Sequence, residues 1–135
     1  MKRIILASMA AMFGASAYAA PLTVTLDGVR WEGPLYISVQ SEDQFMQEEA
    51  AASTMVQTPH PGAHNFTFDV PPGAYAVSVW HDDGNGVFDR DAYGRPLDGW
   101  AMSGEIGQGA PSFEDVAISV GPDGASVTLQ MVYPD

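Results

Sequence analysis

Six short stretches of this chain alternate apolar and polar residues one by one, with glycine or proline standing between them. They are Leu22–Leu26, Leu35–Gln40, Phe66–Val70, Tyr75–Val79, Val116–Val120 and Val127–Met131. A period of two puts one set of side chains on each face of an extended chain, so each stretch reads as a half-buried β-strand. Asp27-Gly28, Glu32-Gly33-Pro34, Pro71-Pro72-Gly73 and Gly121-Pro122-Asp123-Gly124 punctuate the pattern, because proline fixes φ and glycine frees it. The strand–helix–strand rhythm of a parallel α/β fold is missing. The pattern predicts an all-β, antiparallel β-sandwich of the Ig-like kind. One short helix is expected after Ser41, which caps a run of helix formers ending near Ser53. From His81 to Ser112 glycines dominate. This long Gly-rich loop either hides short strands around Leu97 to Met102 or is a functional excursion.

The N-terminus reads as a targeting segment. Lys2 and Arg3 precede the apolar run Ile4–Gly14, and Ala17-Tyr18-Ala19 satisfies the small-x-small cleavage rule. Residues 1–19 are therefore expected to be a signal peptide and residues 20–135 a single β-sandwich domain, periplasmic or secreted. The apolar run is too short to span a bilayer. The chain has no cysteine, which excludes thiol catalysis, thiolate metal sites and disulfides. Once Lys2 and Arg3 leave with the leader, Arg30, Arg90 and Arg95 face 17 acidic residues. Such a surface repels nucleic acid and anionic lipid and attracts cations and basic partners.

The densest chemistry lies in Pro72–Asp91, where a strand runs straight into WHDDGNGVFDRD. Asp82, Asp83, Asn85, Asp89 and Asp91 place five oxygen donors within ten residues, and Gly84 and Gly86 allow a tight bend. Calcium takes about six to eight oxygens from just such groups. Asp82, Asp83, Asn85 and Asp89 are the candidate Ca²⁺ ligands. The register is imperfect: with Gly86 at the sixth position of a calcium loop, Asp83, Asn85 and Asp89 fall at ligand positions, but His81 falls at the first. The plainer reading is a loop whose Asp and Asn side chains bond their own backbone as Asx-turns.

Other residues carry weaker signals. His81 stands beside Asp82 and Asp83, whose charges would favour its protonated form. With His60 or His64 it would suit a transition metal, although Pro61 and Gly62 break the helix that would align that pair. Ser103 and Ser112 share loops with acids, but no G-x-S-x-G elbow occurs. Abundant Asp and Glu make any carboxylate pair uninformative for glycoside cleavage. Trp80 has the parity opposite to Tyr75, Val77 and Val79. It is expected either on the outer face, where with Trp100 it would bind sugar or peptide, or packed beneath the Gly-rich loop.

The segments PPGAYAVSVWHDDGNGVFD, DGWAMS and APSFEDVAISV together resemble the domain-of-unknown-function family 2141, small exported bacterial proteins. The likeness covers nearly the whole chain after the leader. His81, Asp82, Asn85, Gly86 and Asp89 match that family's loop, and Ser112, Phe113, Glu114 and Asp115 match its second motif. Two departures stand out: the loop is one residue shorter, and Trp100-Ala101-Met102 replaces a Tyr-Gly-Phe-like triplet. The resemblance implies a sandwich of the prealbumin or carboxypeptidase-regulatory type, with no enzyme activity and no established ligand. If Phe113 plugs the sandwich end, Glu114 and Asp115 would face the loop after His81. The leading expectation is an exported, non-enzymatic β-sandwich whose acidic loop binds Ca²⁺. The alternative is a carbohydrate- or peptide-binding module built on its tryptophans, and a hydrolase comes third.

Overall fold

The computed structural model describes residues 19–105 and 110–134, so residues 1–18 of the expected leader lie outside the described residues. Eight strands form two sheets. They are β1 (Ala20–Val29), β2 (Leu35–Gln40), β3 (Ala52–Val56), β4 (Gly62–Val70), β5 (Gly73–His81), β6 (Gly99–Met102), β7 (Ile118–Val120) and β8 (Ala125–Gln130), with one helical turn, α1 (Phe113–Val116), before β7. One sheet has the order β4-β1-β8. The other has the order β3-β2-β5-β6, with β7 also paired to β5. β6 and β7 share one side of β5: β6 pairs with Ser78–His81 and β7 with Gly73–Tyr75. The ladders are antiparallel except β1–β8, which is parallel. No helix among the described residues is long and apolar enough to cross a membrane.

The expected all-β sandwich is the fold, and its core is the alternating set. Leu22, Val24 and Leu26 of β1, Leu35, Ile37 and Val39 of β2, Phe68 and Val70 of β4, and Tyr75, Val77 and Val79 of β5 are buried in one cluster. Removing that apolar surface from water is what closes the two sheets on each other. Pro71-Pro72 carries the chain from one sheet to the other, since β4 pairs with β1 and β5 with β2. Tyr75 braces this corner through its hydroxyl, which donates to the Pro71 carbonyl at 2.5 Å.

Two local expectations need correction, and one open alternative is settled. The segment after Ser41 forms only a 3₁₀ turn, Glu42–Gln44, and then β3. A ten-residue run of helix formers does not sustain a helix without tertiary support. Here β2 offers an open edge instead, and the register Val39↔Ala52 to Leu35↔Val56 zips Ser-Thr-Met-Val against it. Met46 adopts a positive φ of 65°, a conformation no helix continues. The strand expected over Val116–Val120 splits into α1 and β7, because Ser112 accepts the Asp115 N–H at 3.3 Å and caps a turn at SFEDV. The short strand considered around Leu97 to Met102 is β6.

Candidate acidic site at the end of the central strand

β5 ends at His81, and its two faces continue into different environments. His81 points inward and is fully buried. Its Nε2 lies 2.9 Å from the Gly33 carbonyl and its Nδ1 2.7 Å from the Tyr133 hydroxyl. The carbonyl can only accept, so the proton sits on Nε2, and Nδ1 accepts from Tyr133. The Tyr133 oxygen accepts the Arg30 N–H at 2.9 Å, and Trp31 packs on both rings. Gly33 and Gly99 make this closeness possible. A Cβ on Gly33 would meet the Asp82 carbonyl, and one on Gly99 would meet the Tyr133 ring. Burial lowers the His81 pKa below the ordinary value and outweighs the opposing pull of the Gly33 bond and of Asp82. The expectation that neighbouring carboxylates protonate this histidine is therefore overturned by desolvation.

The loop after His81 is a chain of Asx-turns. Asp82 Oδ1 accepts from Gly84 N, Asp83 Oδ1 from Asn85 N, Asn85 Oδ1 from Val87 N and Asp91 Oδ1 from Tyr93 N. Asp82 also accepts the Gly86 N–H with both oxygens. Gly84 and Gly86 take positive φ of 107° and 78°, which only glycine adopts without strain. Asn85 Nδ2 donates to Asp89 Oδ2, and the Asp89 carbonyl accepts Leu97 N at 2.8 Å. Asp91 holds Arg95 through an ion pair of 2.9 Å.

Asp98 completes this corner. In the β5–β6 ladder His81 faces Gly99, so the next position outward sets Asp82 opposite Asp98. One carboxylate oxygen from each of Asp82, Asp83 and Asp98 lies within 4.8 Å of the others. Asp82 and Asp98 are buried, while Asp83 is exposed. Asp98 Oδ2 accepts the Trp80 indole N–H at 2.7 Å. Its Oδ1 is buried and has no hydrogen-bond partner. Burial raises the Asp98 pKa, and the charges of Asp83 and Asp89 push the same way, against the Trp80 hydrogen bond and the polarity of the Asp89 backbone nearby. Three carboxylates with one buried, unbonded oxygen form an arrangement that a cation relieves.

The candidates named from the sequence thus fall into separate groups. Asp82 and Asp83 meet at the acidic corner. Asn85 and Asp89 bond each other beside it. Glu114 and Asp115 sit on α1, where the Asp115 carbonyl accepts Glu105 N and Phe113 packs edge-on against Phe45. Phe45 follows β2, whose Gln40 end faces Ala76, whereas its Leu35 end faces His81. Phe113 therefore lies towards the end of the sheet opposite His81, and the expected approach of Glu114 and Asp115 to the loop after His81 is not formed. His60 and His64 stack on each other at 4.2 Å, and among the described residues no histidine joins the carboxylate group. Ser103 is fully buried, accepts Val77 N and donates to the Val116 carbonyl. Ser112 is the cap of α1. Asp98 was missed from the sequence. The register of β6 on β5 is the signal that finds it, since DGW must then face WHD.

Trp80 lies on the outer face of the larger sheet, half-buried. It stacks on Tyr36 with centroids 5.0 Å apart and meets the edge of Phe88 at 6.1 Å. Trp100 is its direct cross-strand partner on β6. These rings floor a groove of about 1050 Å³ bounded on one side by Arg90, Tyr93 and Pro96 of the glycine-rich loop. Both placements expected for Trp80 therefore hold at once: outer face, and beneath the loop.

Neither the curated proteins nor the solved structures include a match to this chain. A family model does match, over residues 24–128, a span that contains the acidic corner and α1. The chain belongs to the family DUF2141, described as uncharacterized protein conserved in bacteria.

Proposed function

We propose that this is an exported, non-enzymatic β-sandwich domain that holds a hard divalent cation, of the calcium class, at Asp82, Asp83 and Asp98. The observation that carries the reading is the buried Asp98 Oδ1 with no partner, in a group whose oxygens lie within 4.8 Å of one another. An ion about 2.4 Å from each of those oxygens is compatible with that spread. The exposed side of Asp83 leaves the remaining positions to water. An acidic surface raises the local cation concentration, and export would place the domain where calcium reaches millimolar levels. The non-enzymatic part of the reading is supported by His81 and Ser103, each spending its polar atoms on bonds that hold the scaffold.

The experiment is calcium titration of the chain without residues 1–19, read by melting temperature, with Asp98→Asn and Asp89→Ala beside it. A bound ion raises the melting point by mass action. The shift should vanish in Asp98→Asn and persist, reduced, in Asp89→Ala. No shift at millimolar calcium removes the reading. A second reading, a module that binds carbohydrate or peptide, is favoured by the aromatic groove over Tyr36, Trp80 and Trp100.

A further inference from the structure

We propose that the groove on the outer face of the larger sheet takes a short oligosaccharide bearing a single carboxylate, with sugar rings against Trp80 and Trp100 and the carboxylate met by Arg90. The inference rests on the second reading above, that the groove is a ligand site, and names its ligand class. The floor is built in register. Tyr36, Trp80 and Trp100 lie opposite one another across β2, β5 and β6, and Ser38, Ser78 and Met102 form the next row. Cross-strand partners share a face, so aromatic rings and hydroxyls alternate along one surface. A pyranose ring has the same duality, with C–H faces that pack on aromatic surfaces and a rim of hydroxyls that needs hydrogen-bond partners. The groove volume, about 1050 Å³, lies just above the range usual for small-molecule sites and leaves room for more than one sugar ring.

The backbone argues against an extended peptide. β5 is paired on both sides, by β2 on one and by β6 and β7 on the other. The groove floor therefore offers no free strand edge for β-augmentation. Trp100 is fixed the same way: its N–H and carbonyl both bond Val132, at 2.9 and 2.7 Å.

The charge argues for one carboxylate. Two of the three arginines that follow the leader, Arg90 and Arg95, line this groove. Arg95 is held by Asp91. Arg90 lies over the Phe88 ring and donates one N–H to the Gly94 carbonyl, and among the described residues it has no carboxylate partner. A guanidinium with open donors at the lip of an aromatic groove suits one carboxylate. A polyanion is disfavoured by a chain that carries 17 acidic residues.

The test offers the mature chain paired short oligosaccharides of hexose, pentose and amino-sugar type, each made with and without one terminal glucuronate. Binding is read by calorimetry in EDTA and again in calcium. The acidic member of a pair should bind about ten-fold more tightly than its neutral twin, roughly the worth of one charge-assisted contact. Arg90→Gln should erase that preference, and Trp100→Ala should abolish binding while Trp100→Phe retains part of it. Unchanged melting temperatures in these variants establish that the fold persists. Equal binding of both twins, lost in Trp100→Ala, keeps the groove as a ligand site and overturns the acidic class. Acidic binding that needs calcium and ignores Trp100→Ala puts the sugar on the ion and overturns the inference. No binding by any sugar overturns the groove reading itself.

Discussion

His81 and Asp98 are both fully buried, both titratable and only one strand apart. They differ in what surrounds their polar atoms. Both nitrogens of His81 are bonded, and the tyrosine it bonds is itself bonded to the Arg30 N–H. Asp98 has one oxygen on Trp80 and one on nothing. A buried polar group with every bond made belongs to the scaffold, because removing any partner strands another in a dry interior. A buried carboxylate with an open oxygen beside two further carboxylates costs stability until something fills it. The same end of β5 thus carries a finished polar chain on its inner side and an unfinished one at its rim. The unfinished one is where the proposed cation would sit.

The largest effect expected is on the finished side. His81→Ala removes a buried ring and strands the Gly33 carbonyl and the Tyr133 hydroxyl. It should cost about 3 kcal/mol or more of unfolding free energy in urea, and calcium should not change that loss. A cost below about 1 kcal/mol would mean that the inner chain is not part of the scaffold. Next comes the ion. At a hundredfold excess over its dissociation constant, calcium should stabilise the wild-type chain by about 2.7 kcal/mol and Asp98→Asn by nothing. Without calcium the order reverses. Asp98→Asn should be more stable than wild type by about 1–2 kcal/mol, because it removes a charge with an unpaired oxygen and keeps the Trp80 bond. A less stable apo variant would show that Asp98 is already satisfied.

The smallest effect is on pH dependence, and here the two residues have opposite signs. The His81 pKa is lowered from its ordinary 6.5. Its contribution to stability is whole above that value and is lost as pH falls from there towards the folded one. The Asp98 pKa is raised from 3.8. Its contribution is whole below that value and is lost as pH rises through the folded one. Without calcium, the stability of wild type relative to Asp98→Asn should therefore improve on acidification towards pH 4, as measured by chemical denaturation. Parallel pH curves for the two proteins would contradict this assignment.

What the sequence revealed follows the period of its side chains. β1, β2, β4, β5 and β8 were legible because Leu22-Thr23-Val24-Thr25-Leu26 and its counterparts alternate strictly, and burial of one face enforces that alternation. β3 was illegible because the preceding Glu48 to Ala51 are helix formers, and only the open edge of β2 makes an extended chain worthwhile there. β6 is four residues long, too short to show a period. The site was half legible for the same reason. Asp82 and Asp83 are contiguous with a clear strand. Asp98 reaches them from 15 residues away through the register of β6, a strand whose existence had been only one of two alternatives. The Asx-turns were legible because each is local, Asp or Asn bonding the amide two residues on.

The central claim is that Asp98 keeps an oxygen free for a cation while holding Trp80. The most direct measurement is the indole N–H spectrum of the mature chain during a calcium titration, with the Trp80 signal assigned from Trp80→Phe. Three such signals exist, from Trp31, Trp80 and Trp100, and only Trp80 donates to Asp98. The account predicts that the Trp80 signal moves saturably with calcium, that those of Trp31 and Trp100 move far less, and that none moves in Asp98→Asn. A Trp80 signal that stays in place at millimolar calcium, or three that shift together, would contradict it.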